Sequence, residues 1–84
     1  MYFVEKIQAQ GKKQRKIPVP KKFWNEFPLG SLVKIEKVYE PTLFFVDVVQ
    51  VQGVQRRIAV AYKFWNYFPV GTAVKIEWMI GGKK

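Results

Sequence analysis

The stretch Gln14-Arg15-Lys16-Ile17-Pro18-Val19 recurs 41 residues later as Gln55-Arg56-Arg57-Ile58-Ala59-Val60. Over residues 14–39, 15 of 26 positions are identical to those 41 residues further on. The match continues toward the N-terminus, where residues 2–11 correspond to residues 44–53 at an offset of 42. Since chance does not produce such a match, we interpret the chain as two repeats, residues 1–40 and 43–80, followed by a flexible tail at 81–84.

One repeat of about 41 residues is too short to bury a core by itself. The whole chain of 84 residues is long enough for one small domain, and 49% of it is hydrophobic and 17% aromatic. It contains no cysteine, so no disulfide supplies stability. We therefore expect a single domain in which two halves, related by a pseudo-twofold axis, share one core. A homodimer fused into one chain has this organisation.

The order of elements in each half is predicted to be strand, strand, short helix, strand. Residues 2–10 and 15–19 are rich in the β-branched and aromatic residues typical of strands. Pro20 suits the first turn of a helix, and we expect helices over residues 21–27 and 62–68, each ended by a Pro-x-Gly turn. Strands over residues 32–39 and 73–80 follow, and Glu40-Pro41-Thr42 is the predicted connector. The fold class is mostly β, a barrel or sandwich of two β-β-α-β repeats with two short helices.

The charge of the chain is strongly positive. Fifteen Lys and Arg against six Asp and Glu give a net charge of +9 and a pI near 10.0. In a folded domain this balance indicates a polyanionic partner, most often nucleic acid. No apolar run approaches the roughly 18 residues of a membrane helix, and Glu5 and Lys6 interrupt any signal-peptide-like region. We therefore expect a cytoplasmic protein without a membrane partner, associated with the nucleoid or, if encoded by a virus, in the host cytoplasm.

A series of short motifs recurs in each half. In the first half they are Gly11, then Lys16-Ile17-Pro18-Val19-Pro20, a short helix, Pro28-Leu29-Gly30 and Val33-Lys34-Ile35. Their order and spacing resemble the AbrB/MazE-like (SpoVT-AbrB) swapped-hairpin DNA-binding domain. The resemblance covers nearly the whole chain, once per half, and implies a pseudo-twofold swapped-hairpin β-barrel made by interleaved hairpins. Members of that family are transcription regulators and antitoxins, and their basic DNA-contacting residue corresponds to Lys16 and Arg57 here.

The candidate DNA-binding residues form two basic clusters related by the repeat. The first has six cations within residues 12–22 and no acid between them, and the second has three. They are Lys12, Lys13, Arg15, Lys16, Lys21, Lys22, Arg56, Arg57 and Lys63. Contacts to phosphates need positive charges whose spacing matches that of the phosphates along a DNA groove, and arginines can also form hydrogen bonds with the edges of bases. Double-stranded DNA is therefore the expected partner of a transcriptional regulator or small architectural protein; the competing interpretation is a solvated surface that maintains solubility.

Two further sets of residues fit either function or packing. The glutamines suit adenine contacts or, as we favour, a polar outer strand face; they are Gln8, Gln10, Gln14, Gln50, Gln52 and Gln55. Trp24 and Trp65 suit stacking on bases or packing in the core. Phe27 and Phe68, three residues after each tryptophan, favour the core.

The composition argues against an enzyme. The chain has no His or Cys to act as base, nucleophile or metal ligand, and it has no glycine-rich phosphate loop. We therefore expect no cofactor, no metal and no small-molecule substrate. Two alternatives to duplex binding stay open: a binder of RNA or single strands, and an antitoxin-like protein-interaction module. The expected oligomeric state is a monomeric pseudo-dimer or a homodimer.

Overall fold

Two four-stranded antiparallel sheets make up the fold in the computed structural model, which describes residues 1–82. The strands are β1 (Tyr2–Lys6), β2 (Gln8–Gln10), β3 (Gln14–Pro18), β4 (Leu32–Lys37), β5 (Glu40–Val48), β6 (Gln50–Gln52), β7 (Gln55–Ala59) and β8 (Ala73–Ile80). Sheet A has the strand order β1-β8-β4-β5, and sheet B has the order β2-β3-β7-β6. The prediction of a mostly β fold is confirmed.

The two halves of the chain pair with each other at the centre of both sheets. Ile17 on β3 lies opposite Ile58 on β7, and Ile35 on β4 lies opposite Ile76 on β8. Each pair joins residues 41 positions apart, which is the offset of the repeat. Because an antiparallel pair of equivalent residues has a local twofold axis normal to the sheet, a pseudo-twofold axis passes through the centre of each sheet.

The core between the sheets draws equally on both halves. Its 14 buried hydrophobic residues are seven pairs of repeat equivalents: Phe3 and Phe45, Ile7 and Val49, Ile17 and Ile58, Val19 and Val60, Phe27 and Phe68, Val33 and Val74, and Ile35 and Ile76. The Phe3 ring stacks on Phe23 at 5.0 Å and meets the edge of Phe27 at 4.9 Å. The second half repeats this cluster around Phe45. Each half therefore contributes the same aromatic cluster to the core.

The predicted β-barrel is not found as a closed barrel, and that part of the prediction is wrong, since the strands in residues 1–82 form two separate sheets. The chain changes sheets at Ile7, between β1 and β2, and at Val49, between β5 and β6. The Ile7 N–H donates to the Thr72 carbonyl, and the Val49 N–H donates to the Ser31 carbonyl, both at 3.0 Å. These hydrogen bonds tie the corners, but a barrel needs a continuous ladder from sheet to sheet. The strand predicted over residues 2–10 is therefore two strands.

The prediction of two short helices over residues 21–27 and 62–68 is also wrong. Three-residue 3₁₀ helices, Lys21–Phe23 and Tyr62–Phe64, stand in their place. Pro28 has no N–H and disfavours helical backbone at Phe27, and Pro69 acts in the same way in the second half. The Phe27 N–H still donates to the Phe23 carbonyl at 2.9 Å. One turn therefore forms, which is enough to bring Phe27 into the core. No helical segment in the described residues is long and apolar enough to cross a membrane.

The turn between the halves is shorter than predicted. β4 ends at Lys37 and β5 begins at Glu40, so the predicted connector Glu40-Pro41-Thr42 belongs to β5. Pro41 is tolerated there because β5 is an edge strand of sheet A. The strand predicted over residues 73–80 is confirmed as β8. Of the predicted tail, residues 83 and 84 lie outside the described residues.

Candidate nucleic-acid interface

The outer face of sheet B carries two central cations among amides. Ile17 and Ile58 are buried, so the residues that alternate with them on β3 and β7 point outward. Lys16 on β3 and Arg57 on β7 take equivalent places beside the pseudo-twofold axis. Glutamines from all four strands complete this surface, which we call the amide face: Gln8, Gln10, Gln14, Gln50, Gln52 and Gln55. The glutamines thus lie on a polar outer strand face.

Arg57 is held in one orientation on the amide face. Its Nη1 donates to the side-chain oxygen of Gln10 at 2.7 Å and to that of Gln14 at 3.3 Å. Its Nε is buried and has no hydrogen-bond partner among the described residues. Two acceptors on one nitrogen restrict the rotamers of the side chain. The guanidinium is therefore preorganised as a donor beside Lys16.

The hairpin tip between β2 and β3 carries Lys12 and Lys13, both exposed. Gly11 begins this turn with a φ of 69°, and Gly53 begins the turn between β6 and β7 with a φ of 61°. Glycine adopts this left-handed backbone without the cost that a side chain brings. The second turn is one residue shorter and has Val54 in place of lysines. Only the first hairpin therefore presents positive charge at its tip.

Arg15 and Arg56 reach from one half of the chain to the other. The Arg15 guanidinium lies 4.3 Å from the centre of the Trp65 ring, and its Nη1 donates to the Trp65 carbonyl at 3.3 Å. Arg56 makes the same two contacts with Trp24, at 4.5 Å and 3.3 Å. Each tryptophan Nε1 donates to a backbone carbonyl of its own half at 2.8 Å. Both tryptophans pack against the core, so their place is structural and each arginine stabilises the contact between halves.

Replacement of Arg56 by alanine is expected to lower the free energy of unfolding by about 1–2 kcal/mol, because one cation–π contact and one hydrogen bond between the halves are lost. Arg15→Ala should have the same effect. Lys12→Ala removes an equal charge at an exposed position and is expected to change stability by less than about 0.5 kcal/mol. Urea unfolding followed by tryptophan fluorescence measures all three variants. Equal values for Arg56→Ala and Lys12→Ala would contradict the structural role of Arg56.

A groove lies beside each hairpin tip, between it and the 3₁₀ helix of the other half. The first, of about 200 Å³, is lined by three of the candidate cations together with aromatic residues: Lys13, Arg15, Arg57, Tyr62 and Trp65. The second, of about 400 Å³, is lined by one candidate cation and mostly apolar residues: Lys21, Pro18, Pro20, Trp24 and Val54. Lys13 and Lys21 belong to one cluster in the sequence, but they line different grooves.

Lys22 and Lys63 take equivalent exposed places on the two 3₁₀ helices. The Nζ of each lies 5.2 Å from the ring centre of the phenylalanine that follows it, Phe23 or Phe64. Their methylene groups cover these rings while the ammonium groups stay in water. Both lysines extend the basic surface to the flanks of the molecule.

The whole net charge of the chain belongs to sheet B and its turns. Residues 8–23 and 50–65 comprise all four strands of sheet B and both 3₁₀ helices. They contain nine Lys and Arg and no Asp or Glu. Elsewhere in the chain six cations are matched by six acids. The sequence identified the cations but not their segregation on one sheet, because strand pairing assigns segments far apart in the chain to the same sheet.

Comparison of the chain with protein-family models, with curated proteins and with solved structures finds no significant match. Within the described residues, no group of three acidic residues is placed to hold a metal ion. The charge and geometry of sheet B are therefore the features that point to a function.

Proposed function

We propose that the chain binds double-stranded DNA through the amide face and the basic residues around it. The observation that carries this proposal is the segregation of charge: the net +9 lies in the segments of sheet B, which contain no acid. Duplex DNA presents closely spaced phosphates, so a cationic surface without acids attracts it over its whole area. A surface that serves only solubility has charges of both signs interspersed.

The lysines contact phosphates in this proposal. Flexible, exposed ammonium groups suit phosphate oxygens, which carry no sequence information; the exposed ones are Lys12, Lys13, Lys21, Lys22 and Lys63. The tip of the β2–β3 hairpin extends beyond the part of β3 that pairs with β7, and a two-stranded ribbon enters a major groove of about 12 Å. Lys12 and Lys13 at its tip then lie between the two phosphate backbones.

Arg57 is the base-reading residue in this proposal. A fixed guanidinium pairs with guanine in the major groove, and neighbouring glutamines pair with adenine. The hydrogen bonds that Arg57 donates to Gln10 and Gln14 supply the fixed orientation that such pairing needs. Lys16, the repeat equivalent of Arg57, contacts the phosphate backbone of the DNA on the other side of the pseudo-twofold axis. Arg15 and Arg56 act indirectly, since they hold the hairpins against the tryptophans.

The same proposal includes the fold type. Two AbrB/MazE-like halves fused in one chain would form a swapped-hairpin domain that acts as a transcription regulator or an architectural protein in the cytoplasm. The exchange of strands between halves supports this: β1 of the first half pairs with β8 of the second, and β5 of the second pairs with β4 of the first. The pairing of Ile17 with Ile58 on the pseudo-twofold axis supports it as well.

A salt series tests the proposal. Fluorescence anisotropy with a labelled duplex of random sequence is expected to show the logarithm of affinity falling linearly with the logarithm of salt concentration, with a slope of about −0.9 per phosphate contacted. Six to nine contacts correspond to a slope of about −5 to −8. A chain that does not bind the duplex even at about 50 mM salt would overturn the proposal.

Competition separates duplex binding from its rivals. Unlabelled duplex, single-stranded DNA and RNA of the same sequence are added to the complex in turn. Duplex DNA is expected to displace the labelled duplex at the lowest concentration, because the described strands of the amide face present glutamines and cations outward rather than the aromatic side chains on which single strands stack. Stronger competition by RNA or single strands would replace the proposal with the single-strand alternative.

A further inference from the structure

The outer face of sheet A differs from the amide face in being partly apolar and close to neutral. Ile35 and Ile76 are buried, so the residues that alternate with them point outward. Two rows of four residues cross this face, with one residue from each of β5, β4, β8 and β1: Val46, Lys34, Glu77 and Tyr2 in one row, and Phe44, Glu36, Lys75 and Val4 in the other. We call this surface the A face.

Apolar side chains on the two edge strands flank the A face. Tyr2 and Val4 on β1 are 57% and 55% exposed, and Phe44 and Val46 on β5 are 52% and 40% exposed. One end of the face is also apolar, because Val48, Leu32 and Ile80 lie side by side there. The A face therefore leaves apolar side chains in water on both flanks and at one end.

Four charges of alternating sign occupy the centre of the A face. Lys34 lies opposite Glu77, and Glu36 lies opposite Lys75. Lys34 also forms an ion pair with Glu36 at 3.2 Å. The two lysines therefore lie on one diagonal of a rectangle around the pseudo-twofold axis, and the two glutamates lie on the other. This quartet has no net charge, so it attracts neither a polyanion nor an anionic membrane.

We propose that the A face binds a second copy of the same chain, with the twofold axis of the dimer parallel to the strands. A rotation of 180° about such an axis places each row of one copy over the same row of the second copy, with the order of the four strands reversed. Lys34 then faces Glu77 of the second copy, and Glu36 faces Lys75 of the second copy. Every charge in the quartet meets a charge of opposite sign, so the quartet is complementary to itself.

The apolar flanks match in the same arrangement. Tyr2 faces Val46 of the second copy, and Phe44 faces Val4 of the second copy. Sheets packed face to face lie about 10 Å apart with their side chains interdigitated. The apolar flanks supply the attraction, since their burial removes exposed hydrocarbon from water. The charges set the register. A shift of the second copy by one strand brings Glu77 against Glu77 or Lys34 against Lys34, and like charges that face each other in an interface repel.

The ends of the A face determine the direction of the axis. An axis perpendicular to the strands also brings lysines to glutamates, but it sets the apolar end at Leu32 and Ile80 against the opposite end of the second copy. That end carries Lys6 opposite Ala73. The parallel axis brings the two apolar ends together, and it is therefore the arrangement we propose.

A charge exchange tests the dimer. Glu36→Lys with Glu77→Lys gives a quartet of lysines, and Lys34→Glu with Lys75→Glu gives a quartet of glutamates. Each double variant alone is expected to dissociate at least about 100-fold more readily than the unchanged chain, because four like charges face four like charges. An equimolar mixture of the two is expected to form a heterodimer with an affinity near that of the unchanged dimer. Sedimentation velocity without DNA measures each state.

The matched control is Glu26→Lys with Glu40→Lys, which makes the same charge change away from the central quartet and is expected to leave the dimer intact. Circular dichroism reports whether each variant is folded. If a quartet variant does not fold, Val46→Gln on the edge strand takes its place and is expected to weaken the dimer about tenfold through lost apolar burial. An unchanged chain that stays monomeric at about 100 μM would overturn the proposal, since the proposed dimer is expected to have a dissociation constant below that concentration. Folded quartet variants that fail to form a heterodimer would also overturn it.

Discussion

Replacement of Phe27 by alanine is expected to lower the free energy of unfolding by about 3–5 kcal/mol. The Phe27 side chain is fully buried, and its ring meets the edge of Phe3 at 4.9 Å. Truncation leaves a cavity that a small two-sheet core cannot close, and the transfer free energy of the ring is lost as well. A domain of this size has only a few kcal/mol of stability, so the variant should be largely unfolded at room temperature.

The repeat supplies the companion to this experiment. Phe68 is the equivalent of Phe27, is 2% exposed and meets the Phe45 ring at 5.0 Å. Phe68→Ala should therefore cost about as much as Phe27→Ala, namely about 3–5 kcal/mol. Tyr39, an aromatic residue that is 90% exposed, provides the control, and its replacement by alanine should change stability by less than about 0.5 kcal/mol. Urea unfolding compares the three. A large cost at Phe27 together with a negligible cost at Phe68 would show that the halves do not contribute equally to one core.

The charge reversal Lys16→Glu with Arg57→Glu is expected to weaken duplex binding at least about 100-fold at moderate salt. Both residues are half-buried beside the pseudo-twofold axis at the centre of the amide face. The change removes two contacts and adds two negative charges where phosphates approach. The slope of affinity against salt should become shallower by about 0.9, because Lys16 is the phosphate contact that is lost, whereas Arg57 contacts a base. Anisotropy titrations at several salt concentrations give both values.

A control variant with the same net charge tests whether the weaker binding comes from the net charge of the chain alone. Lys6→Glu with Lys37→Glu makes the same change in net charge outside the segments of sheet B, and we expect it to weaken binding less than about fivefold through long-range attraction alone. If the charge-reversed variant does not fold, Lys16→Gln with Arg57→Gln takes its place, because it removes both charges and keeps side chains that form hydrogen bonds. Variants of the amide face that stay folded and bind like the unchanged chain would remove this face from the DNA site.

Local sequence patterns predicted the strands better than the turns between them. Residues 73–80 form the expected strand because alternation of buried and exposed side chains is a local property. The strand predicted over residues 2–10 breaks at Ile7, where the chain leaves sheet A for sheet B. The helix predicted over residues 21–27 shortens to Lys21–Phe23, since Pro28 disfavours helical backbone at Phe27. Nothing in the local pattern at Ile7 marks that corner, since Ile7 is as apolar as its neighbours in the strands.

By itself the sequence determined that the chain is basic, β-rich and built from two copies of one motif, because composition, alternation and repetition are properties of neighbouring residues. Only the tertiary structure decided which strands share a sheet. It placed Lys16 beside Arg57 among glutamines, and it placed Lys34 opposite Glu77. These juxtapositions join residues about 40 positions apart, and antiparallel register depends on which core side chains fit between the sheets. The separation of a cationic amide face from a neutral A face is therefore a product of strand pairing.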